Sequence, residues 1–308
     1  MPREYKSGIE ASPVAECYGF LGPEGSFSYQ ALVKYLKRNL ITDGETSIRE
    51  YKTFYYLAHD LNENYGDDGK LLIDSAIFPM ENSVAGKVIE NYRWIAEHDF
   101  WVIGAIALKL DSALITRRGA RRIDTIYSHP KALDSAKATI VELEESQESP
   151  ISRIETNSTS AALEFILDNG GENDAAISSA WAFNKVPRKR KANFQISKRY
   201  FSDAGRKNVT RFYIVSNKFD DIFNPLFSHE LEYQTFLTMK SERRAETGKI
   251  IDLLAPFKES EINVADFFFD KGTYYMVVDA HPEDLRFVEV KKSLPERCKF
   301  HGCYVVLN

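Results

Sequence analysis

Cysteine is scarce in this sequence: three among 308 residues, Cys17, Cys298 and Cys303. An odd, widely split set offers no disulfide framework and no metal-ligand spacing, which leaves a reducing cytoplasm as the expected compartment. Long apolar runs are missing too. The longest, Phe100 to Leu108, is cut by Lys109, far short of the roughly 20 residues that span a bilayer. Residues 1–16 carry mixed charge with Pro2 and Pro13 and no apolar stretch, so the expectation there is a flexible N-terminus and not a secretory or transit signal. Excess positive charge is also lacking. The formal net charge of −5 argues against a general nucleic-acid binder, and the lone basic run Arg188-Lys189-Arg190-Lys191 reads as a solvated helix end or loop.

What is present is ordinary core material: 44% apolar residues, including 20 Phe and 16 Tyr, against 28% charged. That is the balance of a soluble globular protein, and the length suits two domains.

The pattern along the chain is strand, small-residue turn, helix, repeated. Cys17 to Leu21 is a short apolar run, Gly22-Pro23-Glu24-Gly25-Ser26 a turn, and Tyr29, Leu32, Val33, Tyr35 and Leu36 recur at helical spacing. Leu71 to Phe78 reads as buried strand, followed by Pro79 to Gly86 and a helix carrying Val88, Ile89, Tyr92, Trp94 and Ile95. Phe100 to Thr116 is strand-like but broken at Lys109 to Ser112, where the chain could cross between lobes. Thr125 to Ser128 is a strand, and His129-Pro130 opens a helix, with the histidine read as a local cap outside any site. Ile151 to Glu155, the cap Asn157 to Ser160, a helix from Ala161 to Leu167 and the buried strand Ala175 to Ser179 complete this part. Alternating strands and helices imply parallel sheets, with ligands at the carboxyl ends of the strands.

Three turns, at Gly25-Ser26, Ser83 to Gly86 and Ser158 to Ser160, offer hydroxyls or helix N–H groups, and several aimed at one cleft would hold a multiply charged small acid. A fourth stretch, Asn208-Val209-Thr210-Arg211-Phe212, sets a hydroxyl beside a guanidinium where a polar loop becomes a strand. Beyond Val215 the pattern changes. Residues 218–229 read as a linker, and 230–308 as strand, helix, strand, strand, helix, strand, with Lys271-Gly272 as the hairpin turn.

Taken in order, Gly22 to Ser28, Pro79 to Ser83 with Gly86, Ser128 to Leu133, Ser158 to Ala162, Ala175 to Ser178 and Asn208 to Phe212 resemble the motifs of prephenate dehydratases, and the βαββαβ tail resembles an ACT domain. The resemblance covers nearly the whole chain. It implies an α/β protein: a bilobal catalytic domain, 17–217, similar to type II periplasmic binding proteins, followed by a ferredoxin-like, ACT-like domain for regulation or dimerisation. It also implies decarboxylation and dehydration of prephenate to phenylpyruvate in phenylalanine biosynthesis, in a homo-oligomer, without metal, organic cofactor, nucleic-acid or membrane partner. A prephenate decarboxylase, an arogenate dehydratase and a non-catalytic small-acid-binding regulator are the alternatives.

On this reading Thr210, Arg211 and Glu81 are catalytic, with Arg211 meeting substrate charge and Thr210 orienting a proton, shared with Glu81, water or a neighbouring hydroxyl, toward the departing hydroxyl. Gly25, Ser26, Asn82, Ser83, Gly86, Ser158, Thr159, Ser160, Asn208 and Phe212 bind substrate, Phe212 by packing that fixes Arg211. Asn82 is read as ordering its own turn. The chain departs from the family at Ser26 for Thr, at Ala105 and Lys109 for Glu and Pro, and in the tail. There Gly248-Lys249-Ile250 replaces Gly-Ala-Leu and Phe268 to Lys271 replaces Glu-Ser-Arg-Pro, so phenylalanine feedback is expected to be weak or absent.

Overall fold

The computed structural model describes residues 16–39, 46–63, 72–217, 230–241 and 247–306, with side chains from residue 250 onward in the last segment. Apart from Glu16, the expected flexible N-terminus lies outside the described residues, as do the linker 218–229 and the Lys249 side chain.

The first lobe comprises β1 (Glu16–Leu21), α1 (Phe27–Arg38), β2 (Thr46–Tyr51), α2 (Phe54–Glu63), β3 (Ser75–Asn82), β4 (Gly86–Lys87), α3 (Ile89–Glu97) and β5 (Trp101–Lys109). After β5 the chain crosses to a second lobe of β6 (Ser112–Arg117), β7 (Thr125–Ser128), α4 (Pro130–Ser135), α5 (Lys137–Gln147), β8 (Ser152–Glu155), α6 (Thr159–Asn169), β9 (Asp174–Ser179), α7 (Ala180–Lys185) and β10 (Phe194–Arg199). It returns through β11 (Val209–Ser216), which lies antiparallel between β3 and β5. The first sheet runs β2-β1-β3-β11-β5 with β4 beside β3, and the second runs β10-β6-β9-β7-β8. The expected crossing at Lys109 to Ser112 is therefore real, and 200–208 is the return crossing. The basic run Arg188 to Lys191 follows α7: Arg190 pairs with Glu164 and Asp168 of α6, while Lys191 Nζ donates to the carbonyls of Phe183 and Asn184.

Both faces of the first sheet are buried around its central strands, which are apolar on both sides. One face packs Tyr18, Phe20, Phe212 and Ile214 against Leu32 and Tyr35 of α1. The other packs Phe78, Met80, Tyr213 and Val215 against Tyr92 of α3. No helix among the described residues is long and apolar enough to cross a membrane.

The C-terminal domain contains β12 (Tyr233–Lys240), α8 (Thr247–Glu259), β13 (Val264–Asp270), β14 (Thr273–Val278), α9 (Leu285–Ser293) and β15 (Cys298–Val305), with antiparallel strand order β13-β14-β12-β15. This is the expected βαββαβ arrangement. Lys271 and Gly272 both have positive φ, 42° and 82°, which a tight hairpin turn requires. The helices cover one face of this sheet. The other face joins the α3 side of the first lobe without a break: Phe236, Tyr275, Val277 and Tyr304 share one core with Tyr92 and Tyr213. Ion pairs rim the contact, with Arg93 on Asp270 at 2.5 Å and Lys299 on Asp99 at 2.8 Å.

His301 sits inside this contact, 1% exposed, with Nδ1 3.2 Å from the Phe100 carbonyl and Nε2 2.7 Å from the Thr238 hydroxyl. A neutral ring donating through Nδ1 and accepting at Nε2 satisfies both. Burial pushes its pKa down from the ordinary 6.5 to about 4. The unfolded chain thus takes up a proton near pH 6.5 that the folded chain refuses until about pH 4. Stability is full above 6.5 and falls as pH drops through that window, by about 3 kcal/mol at most. Urea midpoints measured between pH 7 and 4.5 should show this loss, and His301→Gln should flatten it. An unchanged pH slope in the variant would sink the assignment.

Candidate active site

Thr210 stands at the carboxyl ends of β1 and β3, on the strand that returns to the first lobe. Its neighbour β3 contains Pro79, which has no N–H for a sheet ladder. The register answers with a bulge: Phe212 opposes Pro79 but Arg211 opposes Glu81, so Met80 and Glu81 together face one residue. A bulge of this kind re-aims the side chains beyond it. Asn82 therefore turns to the Thr210 face, and its Nδ2 donates to Thr210 Oγ1 at 2.9 Å and to Asn208 Oδ1 at 2.6 Å. Asn82 Oδ1 accepts from the N–H groups of Val84 and Ala85, both at 2.9 Å. The amide is fully used, so Asn82 orders its turn, as expected, and also grips the threonine. Thr210 is 7% exposed, and with Asn82 on one lone pair its own proton is directed elsewhere.

The same alternation separates Thr210 from Arg211. Thr210, Phe212 and Ile214 share the α1 face, whereas Arg211, Tyr213 and Val215 share the α3 face. The Arg211 guanidinium lies beside Tyr213 on that face, and its charge acts on the Tyr213 hydroxyl. Burial works against the guanidinium charge, but Tyr213, Tyr304 and Glu81 outweigh it and leave its pKa above the ordinary value. Glu81 lies across from Arg211 and pairs with Lys87 at 3.4 Å. Three expectations are corrected here. Thr210 meets Asn82 rather than Glu81. Arg211 lies on the strand face opposite Thr210, beside Tyr213. Phe212, 2% exposed in the α1 core, packs on the Thr210 side and does not fix Arg211.

The turn from Ser83 to Gly86 is a further correction, since it leads into β4 and not into a helix; α3 begins at Ile89 with no side-chain cap. The Ser83 hydroxyl donates to the Lys207 carbonyl and accepts from Val209 N–H, tying the turn to β11. Gly86 has φ +80°.

The helix starts at Gly25-Ser26 and Ser158 to Ser160 do converge. A Cβ on Gly25, φ +92°, would lie 3.5 Å from Ser160 Oγ and 3.5 Å from Ala182 Cβ. Ser26 caps α1 by accepting from Tyr29 N–H and donates to the Leu21 carbonyl, so its hydroxyl is already committed. Ser158 caps α6 through Ala161 N–H, and Thr159 opens that helix. The Ser160 hydroxyl is buried without a hydrogen-bond partner among the described residues, which marks a place for a ligand or water.

One participant escaped the sequence reading. Ser179 caps α7, and its hydroxyl accepts from Gln30 Nε2 at 2.9 Å, joining the two lobes. The signal was the serine pair closing the apolar run Ala175 to Ile177. Beside this junction lies a groove of 440 Å³ walled by Gly25, Tyr29, Ser160, Trp181 and Lys185. Thr210 and Asn82 are not among its walls, so the groove alone is not the site. His129 caps α4 by accepting from Lys131 N–H.

A sequence model of the family described as prephenate dehydratase matches residues 18–220. A bifunctional chorismate mutase/prephenate dehydratase of Buchnera aphidicola is 25% identical over 284 residues, covering 90% of this chain and 64% of that protein. Arogenate dehydratase 1 of Petunia hybrida is 28% identical over 235 residues, covering 70% of this chain and 52% of that protein. The chain thus spans between about half and two thirds of the length of these relatives. The structure of a prephenate dehydratase from Arthrobacter aurescens, in complex with L-Phe, superposes with a TM-score of 0.74 at 20% identity over 94% of this chain and 90% of the other. The match across both lobes, on the strands that carry Asn82 and Thr210, means that the chain belongs to the prephenate dehydratase family.

Proposed function

We propose that the protein converts prephenate to phenylpyruvate, releasing CO2 and water. The observation that carries this reading is the Thr210 hydroxyl, buried at the strand ends, held by Asn82 through its lone pair and left with a proton to give. Prephenate is a dianion, and the N-termini of α1 and α6 meet at Gly25 and Ser160, where backbone N–H groups and an unpartnered hydroxyl favour carboxylate. Loss of CO2 drives an electron pair into the ring and expels the ring hydroxyl, which needs a hydrogen-bond donor as it departs. Thr210 takes that role. Arg211 and Glu81 then support the strand from its other face.

Weak phenylalanine feedback belongs to the same proposal: Phe268 packs edge-on against Tyr92 at 4.9 Å and Asp270 pairs with Arg93, so both serve domain docking. Self-association through the C-terminal domain would use what docking leaves over, its helices and the β13 edge.

Purified protein incubated with prephenate should release phenylpyruvate, read by its absorbance in alkali, and no product would sink the reading. Arogenate, with an amine in place of the keto group, is the second substrate to assay, because one relative is named for it. Asn82→Asp tests the grip on Thr210. It keeps the acceptor for Val84 and Ala85 N–H but converts the donor facing Thr210 into an acceptor, which draws the threonine proton away from substrate. The expected loss in kcat is about a hundredfold, and a loss below threefold would show that Asn82 only shapes its turn.

A further inference from the structure

The α3 face of β11 carries a polar chain that the chemistry above leaves unused. The Arg211 charge acts on Tyr213, the Tyr213 and Tyr304 hydroxyls lie 2.9 Å apart, and the Tyr304 hydroxyl is 3.1 Å from Gln234 Oε1. Gln234 Nε2 then donates to Asp279 at 2.9 Å. Tyr213 and Tyr304 are essentially unexposed. Gln234 Oε1 only accepts and Tyr304 has one proton, so Tyr304 donates to Gln234 and Tyr213 donates to Tyr304, each hydroxyl pointing away from the Arg211 charge and toward Asp279. The chain starts one residue from Thr210 and ends in the C-terminal domain. A second tether runs beside it. Lys87, whose strand pairs with β3 at Glu81, contacts Glu81 at 3.4 Å and Asp266 of β13 at 2.8 Å. Both members of the Arg211–Glu81 cross-strand pair are thus gripped from the C-terminal domain, while the next pair, Thr210 and Asn82, presents the site on the opposite face.

We infer that Tyr304 is a positioning residue for Thr210, acting through Tyr213 and Arg211, so that the site depends on a hydroxyl supplied from outside the two catalytic lobes; this rests on the proposed role of Thr210. The physical reason is that a buried chain of this kind has no water to fall back on. Removing the Tyr304 hydroxyl strands the Tyr213 proton and the Gln234 carbonyl together, and the Tyr213 hydroxyl beside Arg211 loses the partner that orients it.

The test uses the full chain. In Tyr304→Phe, kcat for prephenate should fall about tenfold with KM within about twofold, and the amides of residues 209–212 should exchange hydrogen about tenfold faster. Tyr213→Phe should give the same losses, and the double variant no more than either alone, since one chain is broken only once. Tyr275→Phe removes a phenol from the same interface but outside the chain, and should leave both readouts at the wild-type level. Additive losses in the double variant, or wild-type exchange and kcat in Tyr304→Phe, overturn the inference. If the wild-type chain makes no phenylpyruvate, the reading of the site fails and exchange alone decides. Faster exchange at 209–212 in Tyr304→Phe and not in Tyr275→Phe then supports the positioning role, and equal exchange rejects it.

Discussion

Replacing Thr210 by alanine is expected to lower kcat for prephenate about a thousandfold with little change in KM. The hydroxyl is placed to act on the departing group, whose charge develops only as the ring aromatises, so its contribution belongs to the transition state and not to substrate binding. Asn82 keeps it from rotating freely: with Nδ2 on its lone pair at 2.9 Å, the threonine proton has one remaining arc to search. Loss of the hydroxyl leaves the Asn82 amide with Asn208 Oδ1 and the Val209 carbonyl as partners, so the turn and the fold survive the substitution. Thr210→Ser restores the donor and should recover turnover to within about tenfold of wild type, the remainder reflecting the lost methyl group and its restriction of χ1. A Thr210→Ala enzyme within tenfold of wild type would transfer the donor role to another group, with the unpartnered Ser160 hydroxyl the next to replace.

Which residues converge was easier to read in the sequence than which way they point. The C-terminal βαββαβ order was legible because every strand there is a short apolar run and Lys271-Gly272 permits only a tight turn. The first-lobe turns were legible because Gly25, Asn82 and Thr210 fall at strand ends. Orientation was not. Whether Glu81 or Asn82 meets Thr210 depends on one extra residue in β3, and Pro79 hints at a bulge without saying where the register shifts. The edge strand β2 is mostly exposed, with a polar sequence that carries no alternation, so nothing local marks it. Domain docking was equally hidden. Phe268 and Asp270 read as a decayed regulatory motif, yet their partners, Tyr92 and Arg93, lie more than 170 positions earlier in the chain. The Tyr213–Tyr304 hydrogen bond is of the same kind, since two tyrosines among sixteen are told apart only by the fold.

Gly302 is where that docking is most exposed to a single substitution. Its φ is +105°, and a Cβ built there would lie 2.2 Å from the Val102 carbonyl oxygen and 2.9 Å from Val102 N, both backbone atoms of β5. No rotamer can relieve such a contact, so β15 and β5 must separate or the residue must change its backbone conformation. Gly302→Ala should therefore cost about 3–5 kcal/mol, combining left-handed backbone strain with the displacement of a packed strand. Gly119→Ala is the matched control: its φ is +80° but nothing lies within 4 Å of the added carbon, so only the strain of about 1–2 kcal/mol applies. Urea denaturation of the two variants beside wild type separates the effects, and equal losses would mean that the close approach of β15 to β5 contributes nothing. The two residues flanking Gly302 toward the C-terminus are Cys303, which is buried, and Tyr304, which reaches Tyr213. Strand separation at Gly302 would pull that hydroxyl away before the catalytic lobes unfold. Gly302→Ala should therefore lose activity under conditions where its far-ultraviolet circular dichroism is still native, and activity that persists until the sheets melt would break the link between docking and the site.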